Sequence, residues 1–270
     1  MRGFERVETP DEDSPDSSPA METIRSFDQS RAGDYYPGGP KSLAGISLRA
    51  FLLGITHASS VSAILLTLYT TTSPLWRVPF FLAALSLFHF LEFWTTAAYN
   101  PPEARVHAFL LTANWPAYAI AHAAACTECL LAGLLHPGPY AAVPPSVRVA
   151  LMAAGLALVA AGQAVRSAAM VTAGRSFNHT VQHRRAASHA LVTRGIYAWL
   201  RHPSYFGFFW WALGTQLVLG NVVCFFGYAV ALWRFFSGRI VHEEELLVRF
   251  FGRDYEEYRK RVGTLIPFCG

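Results

Sequence analysis

The residues best suited to chemistry lie in a stretch that runs from His189–Val192 to Tyr197-Ala-Trp-Leu-Arg-His-Pro-Ser-Tyr-Phe-Gly207. Its histidine and tyrosine side chains offer hydrogen-bonding groups and ring faces to a polar organic molecule. Pro203 is suited to the first turn of a helix, whose start would present amide groups to a carboxylate. An alternative is that these residues are interfacial anchors of a membrane protein, and the stretch by itself does not decide between the two.

A charged pair follows after an apolar segment. Arg239 and Glu243 are four residues apart, so they share one face of a predicted helix. An arginine can bind a carboxylate through two parallel hydrogen bonds. A glutamate can favour a cation or accept hydrogen bonds from hydroxyl groups. Together with the preceding stretch, this pair predicts a pocket for a zwitterion.

Three ionisable residues lie inside apolar segments, where a charge is expensive and is usually placed for a reason. His89 and Glu92 are three residues apart on one helix face, and Arg166 lies in a later segment. Two interpretations are open. Glu92 and Arg166 form an internal pair that holds a helix bundle together, or they line an active cavity.

Other signals of catalysis or metal binding are weak or missing in the sequence. It contains no glycine-rich dinucleotide motif, no P-loop and no G-x-S-x-G nucleophile motif. Cys126 and Cys129 form a lone C-x-x-C pair in an apolar segment, which is weak evidence for a metal. We therefore expect structural cysteines, no metal and no nucleic-acid partner.

The composition is that of a polytopic membrane protein. Hydrophobic residues make up 53% of the chain and charged residues 15%, against about 25% charged residues in soluble chains. A soluble domain of this composition would expose too much apolar surface. Residues 1–45 differ, with nine acidic and five basic side chains among many Ser, Pro and Gly residues. We expect them to form a disordered acidic cytosolic tail.

Four apolar segments are long enough to cross a hydrocarbon core, which needs roughly 20 helical residues. Residues 46–173 are therefore predicted to form four transmembrane helices, at Ile46–Tyr69, Leu75–Tyr99, Val106–Leu135 and Val147–Ala173. The third segment is interrupted by Asn114, Pro116, His122 and Glu128.

Two further apolar runs, Tyr205–Leu219 and Val222–Phe236, are short and are joined by the turn signal Gly220-Asn221. They predict a tight helical hairpin, and with it an all-α bundle of about six spans. Glycines seven residues apart are expected to share a face and to let two backbones approach closely in lipid, although loop-breaking glycines are an alternative. These pairs are Gly207 with Gly214, and Gly220 with Gly227.

The charges of the loops predict the orientation of the bundle. Residues 171–203 hold five arginines, four histidines and no acidic residue, whereas 136–146 and 70–74 hold no Lys, Arg, Asp or Glu. By the positive-inside rule, we expect a multi-pass protein with both termini and the 171–203 loop in the cytosol. The sequon at Asn178 would then be unreachable for glycosylation.

Residues 174–270 form the predicted catalytic region, made of the basic loop, the hairpin and a C-terminal helix over about Arg239–Val262. In that helix, apolar residues recur every three or four positions, with charge elsewhere. We expect a cytosolic amphipathic helix that lies against the membrane face or the catalytic loop, and a plain surface helix is the alternative. The recurring residues are Leu247, Phe251, Tyr255, Tyr258 and Val262.

Several of these motifs follow one another at a specific spacing. They are Arg201–Gly207, Trp233–Phe236, Arg239, Glu243–Glu245 and Phe250–Tyr258, with Ala168–Gly174, Phe177–His179 and Gln182 upstream and Ser86–His89 with Glu92 in the second span. In this combination, which covers most of residues 46–270, the chain closely resembles the isoprenylcysteine carboxyl methyltransferase family.

The resemblance implies transfer of a methyl group from S-adenosylmethionine to the C-terminal carboxylate of a prenylated cysteine. It implies that Arg239 is catalytic and binds the substrate carboxylate, and we include Glu92 and Arg166 as candidate substrate-binding residues. The positions that match the family's cofactor contacts are Gln182, His189, Ala190, Leu191, Val192, Tyr197, His202, Pro203, Ser204, Tyr205 and Glu243.

The resemblance also implies that the partners are prenylated CaaX-type proteins, small GTPases among them, and that the location is the endoplasmic reticulum membrane. We expect the prenyl chain to arrive from the bilayer between the hairpin and the second and fourth spans. A phospholipid N-methyltransferase and a sterol reductase are alternatives, but both match the 233–258 block less well. A transporter is a further alternative, and it leaves the basic loop unexplained.

Overall fold

A computed structural model of the chain describes residues 32–135, 143–184 and 189–269, and all regular secondary structure in these residues is helical. Residues 1–31 of the predicted acidic tail lie outside the described residues. In the rest of that segment, residues 33–35 form a short 3-10 helix. Ser42 then caps the first long helix, because its hydroxyl accepts a hydrogen bond from the Gly45 amide at 3.1 Å.

The described residues contain seven α-helices. Their bounds are α1 Leu43–Thr70, α2 Arg77–Tyr99, α3 Ala117–Leu134, α4 Pro145–Ala173, α5 Pro203–Leu219, α6 Val223–Phe251 and α7 Arg253–Arg261. By length and composition, four segments can cross a membrane. They are Leu43–Thr70, Pro74–Tyr99, Ala117–Leu134 and Pro145–Ser176.

The third of these segments begins later than the sequence predicted. Residues 106–109 form a short 3-10 helix, and α3 begins only at Ala117. Leu110 and Asn114 adopt left-handed backbone conformations, with φ of 57° and 55°, so the helix cannot run through them. Non-helical backbone is tolerated in a membrane protein where protein covers it, and Phe109 in this stretch is fully buried.

The predicted hairpin is present, with α5 inside the bundle. This helix is apolar all round, as expected of a helix buried on every side, and most of its residues are buried. Glu128 of α3 holds the turn that follows, because its carboxylate accepts the backbone N–H groups of Val222, Val223 and Cys224 at 2.7–2.8 Å. The glutamate that interrupts the third apolar segment therefore caps the start of α6, where a negative charge is favourable.

Helices α4 and α5 meet along a seam of glycines. A Cβ atom at Gly162 would lie 2.6 Å from the Gly207 carbonyl oxygen, and one at Gly214 would lie 2.8 Å from that of Gly155. The close approach predicted for the first hairpin helix thus occurs, and its partner is α4. The expectation for Gly227 is wrong, because an added Cβ there would meet nothing within 4 Å.

The C-terminal part of the chain differs from the single helix predicted over residues 239–262. Helix α6 runs without a break from the hairpin to Phe251, since backbone hydrogen bonding does not depend on the change from apolar to charged side chains. The chain then turns at Gly252, whose φ of 55° favours glycine, and α7 follows. Beyond α7 the tail folds back, with the Trp233 indole donating to the Pro267 carbonyl at 2.9 Å.

The seam leads to a prediction for Gly214→Ala. The added methyl group would press on the backbone of α4, and we expect the free energy of unfolding to fall by about 1–3 kcal/mol. The matched control is Gly227→Ala, where the open space should let the gain in helix propensity, about 1 kcal/mol, stabilise the protein. Thermal unfolding in detergent measures both, and equal midpoints for the two variants would contradict the seam.

Candidate active site

A cavity of about 490 Å³ lies among the ends of α4 and α5, the second half of α6, and the loop residues 110–114, 176–180 and 189–192. The hydrogen-bonding part of its wall, here called the polar arm, includes Tyr197, His202, Ser204, Glu243 and Tyr258. The aromatic part, here called the apolar arm, includes Phe88, Tyr118, Phe208, Phe235 and Phe236. The cavity therefore joins a hydrogen-bonding surface to an aromatic one.

Most of the site residues predicted from the sequence meet at this cavity. Its wall contains Arg239, Arg166 and every residue of the expected cofactor set except Gln182. The Gln182 side chain instead donates to the Thr180 carbonyl oxygen at 3.0 Å. Glu92, which we expected to bind substrate, has no exposed surface and lies behind Arg166. Its geometry fits a role in holding that arginine.

Arg239, Tyr205 and Glu243 form a hydrogen-bonded chain between the two arms. Arg239 Nε donates to the Tyr205 hydroxyl at 2.8 Å, and that hydroxyl donates to Glu243 Oε2 at 2.5 Å. Arg239 Nη2 also donates to the His179 carbonyl oxygen at 2.6 Å. A guanidinium carries five N–H donors, so these bonds can fix its plane while other donors serve a ligand carboxylate.

A buried ion pair supports this arrangement from behind. Arg166 binds both carboxylate oxygens of Glu92, with Nη2 to Oε2 at 2.7 Å. Its Nη1 donates to the Ser204 carbonyl and hydroxyl oxygens at 3.1 and 3.0 Å. Glu92 Oε2 also lies 3.6 Å from Nδ1 of His179, whose carbonyl binds Arg239. The pair thus ties α2 to α4 and α5, and Arg166 in addition reaches the cavity wall.

A second buried cluster fixes the start of α5 against α6 and the chain end. Arg201 Nε donates to Glu244 Oε1 at 2.6 Å, and Arg201 Nη1 donates to the carbonyl oxygens of Arg259 and Val262 at 3.0 and 2.7 Å. Burial alone would raise the pKa of Glu244, but hydrogen bonds from His202 and Arg201 hold this pKa below its usual value. The carboxylate is therefore charged at neutral pH, and it anchors the polar arm.

The first turn of α5 has fewer free amide groups than the sequence predicted. The amide groups of Tyr205 and Phe206 both donate to the His202 carbonyl oxygen at 3.1 Å, so they do not form a row of open donors. The His202 ring stacks on the Tyr205 ring, with centroids 5.5 Å apart and planes 5° from parallel. Tyr205 also stacks on Phe236, with centroids 5.1 Å apart, so its ring is held between these two neighbours.

Some wall residues were missed as site residues, although the sequence held a signal for them. Phe251, Tyr255 and Tyr258 line the cavity, and the Tyr258 hydroxyl donates to the Tyr197 carbonyl oxygen at 2.6 Å. Their spacing of three or four residues marked a helix face, and this face packs on the loop that holds Tyr197. In the sequence, His179 appears only as part of a family motif. Its contacts are with α2, which is far from it in the sequence, so no local pattern indicates them.

The glycine seam affects one side of the expected route for a prenyl chain. The glycine seam closes the space between α4 and α5, where a Cβ would already lie within 3 Å of the opposite backbone. The apolar arm lies on another side of α5, where Phe208 contacts Phe88 of α2 at 5.3 Å and Phe236 of α6 at 6.1 Å between ring centroids. The aromatic side chains of the apolar arm therefore lie between the hairpin and α2.

The cysteines lie apart from the cavity. Cys129 is buried, with its sulfur 3.7 Å from the Leu219 carbonyl oxygen, and it packs with Phe81 and Ala125. In the part of the chain that the structure describes, no group of three or more His, Cys, Asp or Glu side chains is placed to hold a metal ion.

Fold and site together define a helical integral-membrane protein with a two-sided ligand cavity at one end of its bundle. Residues 154–249 match the model of the isoprenylcysteine carboxyl methyltransferase family. The protein-S-isoprenylcysteine O-methyltransferase of Saccharomyces cerevisiae is 43% identical over 217 residues, which cover 79% of this chain and 90% of that protein. The Homo sapiens protein of the same name is 39% identical over 224 residues, covering 83% and 74%.

The solved structures give the same result. The chain is similar to the eukaryotic intramembrane Ras methyltransferase, an isoprenylcysteine carboxyl methyltransferase, with a TM-score of 0.75 and 31% identity over 93% of this chain and 87% of that one. This chain therefore belongs to the isoprenylcysteine carboxyl methyltransferase family, and the resemblance stated from its motifs is confirmed.

The buried pair leads to a prediction for Glu92→Gln. The change keeps the shape of the side chain but leaves the buried Arg166 charge without its partner, so we expect a loss of about 3–5 kcal/mol in the free energy of unfolding. The control is Glu103→Gln, whose carboxylate lies 3.6 Å from Arg105 in a pair that is 33–40% exposed. That change should cost less than about 1 kcal/mol. Similar losses in the two variants would show that the buried pair does not hold the bundle.

A pH dependence follows from His179. Burial lowers the pKa of this imidazole from its usual 6.5 to about 4, although the nearby Glu92 opposes the shift. Between these two pKa values, His179 binds a proton in the unfolded chain but not in the folded protein. The free energy of unfolding therefore falls as the pH drops from 6.5 toward 4. The loss should reach at most about 3 kcal/mol. His179→Gln should flatten this part of the curve of unfolding midpoint against pH, and an unchanged slope would contradict the assignment.

Proposed function

We propose that this protein transfers a methyl group from S-adenosylmethionine to the C-terminal carboxylate of an S-prenylated cysteine. Its family membership and its relatives' names support the methylation of prenylcysteine. The observation that carries the proposal is the chain from Arg239 through Tyr205 to Glu243. A residue suited to a carboxylate thereby stands next to one suited to a cation, where the polar and apolar arms meet.

The polar arm fits the methyl donor by its chemistry. The Glu243 carboxylate favours a cation, and the hydrogen bond from the Tyr205 hydroxyl fixes its position. The segment His189–Val192 also lines the cavity. When bound, S-adenosylmethionine would supply an activated methyl group on a sulfonium that is its own leaving group. We assign its binding to these residues together with Tyr197, Pro203 and Ser204.

The nucleophile needs little help from acid–base chemistry. A C-terminal carboxyl group has an unperturbed pKa of about 3.5, so it is ionised at neutral pH and requires no general base. Arg239 would orient this carboxylate through its planar guanidinium. The protein's contribution is then the alignment of the reacting atoms and the exclusion of water from the nucleophile.

The apolar arm fits the lipid part of such a substrate. Phe208 and Phe236 line it beside Arg239, and burial of each methylene-sized unit contributes about 0.8 kcal/mol. A farnesyl or geranylgeranyl chain prefers the bilayer to water for the same reason. An enzyme that accepts this chain from the membrane avoids extracting it into water.

The proposal includes a topology and a cellular setting. Helix α5 and the apolar first half of α6 would add two short spans to the four long ones, and the termini, the basic loop and α7 would face the cytosol. The arginines of residues 171–203 support this orientation. The substrates would be CaaX-processed proteins such as small GTPases, at the endoplasmic reticulum membrane. Methylation would remove a negative charge near an anionic leaflet and strengthen the product's attachment.

No contact in the described residues favours a phospholipid N-methyltransferase, a sterol reductase or a transporter. Transport of an ion or a proton would need intramembrane charges that can interact with it. Glu92 is fully buried and bound to Arg166 through both oxygens. These two charges are thus engaged with each other.

The direct test incubates the purified protein with labelled S-adenosylmethionine and a farnesylcysteine analogue. We expect the label in a base-labile methyl ester of the analogue. Transfer to an amine or to a phospholipid, or the lack of any transfer, would contradict the proposal.

Substitutions of Arg239 test its proposed role in binding the substrate carboxylate. Arg239→Ala should lower kcat/KM for the prenylcysteine by about 100-fold or more, because a charged contact in a partly buried site is lost. Arg239→Lys should recover little, since an ammonium lacks the two-pronged geometry. The control is Arg249→Ala, an exposed arginine on the same helix, which should retain activity. Near-normal turnover of Arg239→Ala would remove the carboxylate role.

A further inference from the structure

After α7, the chain forms a small loop against the hairpin. This loop, residues 264–269, is here called the tail loop. Just before it, the Gly263 carbonyl oxygen accepts a hydrogen bond from the Arg201 amide at 2.9 Å, two residues before α5 begins. The Thr264 hydroxyl donates to the Cys269 carbonyl oxygen. The two ends of the tail loop are therefore joined, close to the start of α5.

One side of the tail loop is buried against the hairpin. Ile266 and Cys269 belong to one buried cluster with Phe209 and Leu213 of α5 and with Phe236 and Ile240 of α6. Phe209 follows Pro203 by six residues, which is about 9 Å along the helix axis. The tip of the tail loop thus extends along the hairpin, beyond the first turn of α5.

The other side of the tail loop carries two large apolar side chains. Phe268 is 95% exposed and Leu265 is 65% exposed. Both residues have left-handed backbone conformations, with φ of 58° and 53°, which are uncommon and costly for bulky side chains. In water this arrangement would leave both side chains unburied, whereas the acyl chains of a bilayer would remove them from water.

The backbone of the tail loop is suited to surroundings without water, where non-helical backbone groups need partners within the protein. The Ile266 carbonyl oxygen accepts a hydrogen bond from the Cys269 amide at 3.1 Å. Pro267 has no N–H group, and its carbonyl oxygen accepts a hydrogen bond from the Trp233 indole at 2.9 Å. Polar groups at the tip of the loop are thus bound by the loop itself and by α6.

The exposed side of the tail loop continues an exposed apolar face of α6. Val223, Phe226, Val230 and Trp233 are exposed, and their spacing of three or four residues places them on one face of the helix. Trp233, the last of them, binds Pro267, the neighbour of Phe268. In the proposed topology lipid covers this half of α6, so the same lipid reaches the tail loop.

We propose that the tail loop inserts Leu265 and Phe268 among the acyl chains of the cytosolic leaflet, to the depth of about 5–10 Å that is typical of interfacial segments. The inference rests on the proposed topology, in which α5 and the first half of α6 are membrane spans. The partner of this surface is then phospholipid, because the loop extends a helix face that lipid already covers.

The first experiment places the photoreactive residue benzoylphenylalanine at position 268 of the full-length protein, in nanodiscs of phosphatidylcholine. After irradiation, peptide mass spectrometry locates the adducts. The controls carry the same residue in place of Phe226, on the exposed face of α6, or of Glu257, on α7. We expect lipid adducts at positions 268 and 226 in comparable yield, and none at position 257.

A second experiment uses Phe268→Asp and the accessibility of the buried Cys269 thiol. A charge among acyl chains is expensive, so the loop should leave the membrane, and labelling of Cys269 by a water-soluble maleimide should become about 10-fold faster or more. Phe268→Leu is the matched control and should leave the labelling rate unchanged. If Phe268 faces water, Phe268→Asp should leave this rate unchanged as well.

The outcomes distinguish the inference from the topology on which it rests. Lipid adducts at position 226 but not at position 268 overturn the inference alone, and so do adducts at position 268 that join two copies of the protein. The absence of lipid adducts at both positions overturns the topology together with the inference. If the photoreactive variant at position 268 does not fold, the labelling of Cys269 in Phe268→Asp decides alone.

Discussion

A carboxylate inside a membrane protein must be neutralised by a partner, and much of this structure is arranged around one such requirement. Glu92 of α2 is fully buried, and Arg166 of α4 satisfies it through two parallel hydrogen bonds. The same arginine reaches Ser204 at the start of α5, while Glu92 also approaches His179, which holds Arg239. One ion pair therefore positions the polar arm on one side and Arg239 on the other.

This dependence on polar contacts follows from the solvent. Lipid tails are as apolar as leucine, so the hydrophobic effect does little to hold one spanning helix against another. Close packing and hydrogen bonds must do that work. The glycine seam gives α4 and α5 backbone contact, and Glu128 joins α3 to the start of α6. On the side of the cavity, Arg201 and Glu244 join α5 to α6 and to the chain end.

The sequence predicted those parts of the fold that depend on local patterns. Residues that are close together in the sequence determine each of these features: the long apolar segments, the hairpin turn and the aromatic face that ends at Tyr258. The late start of α3 and the partner of Glu128 depend on residues far apart in the chain, and no local pattern contains them. The same limit explains the site. Family motifs named Arg239 and Glu243, whereas the link between them through Tyr205, and the support of His179 by Glu92, required the folded chain.

The position of Arg239 resolves a conflict in the proposed chemistry. An arginine that binds the carboxylate too tightly would orient the nucleophile but also lower its reactivity, because a strongly paired anion attacks poorly. Here two of the guanidinium donors already bind the Tyr205 hydroxyl and the His179 carbonyl oxygen. In the proposed reaction, the charge of Arg239 would be shared among three acceptors once a carboxylate binds. The orientation of the guanidinium would stay fixed, while its attraction to each single acceptor would be weaker. This combination suits a reaction in which the main requirement is alignment of the reacting atoms.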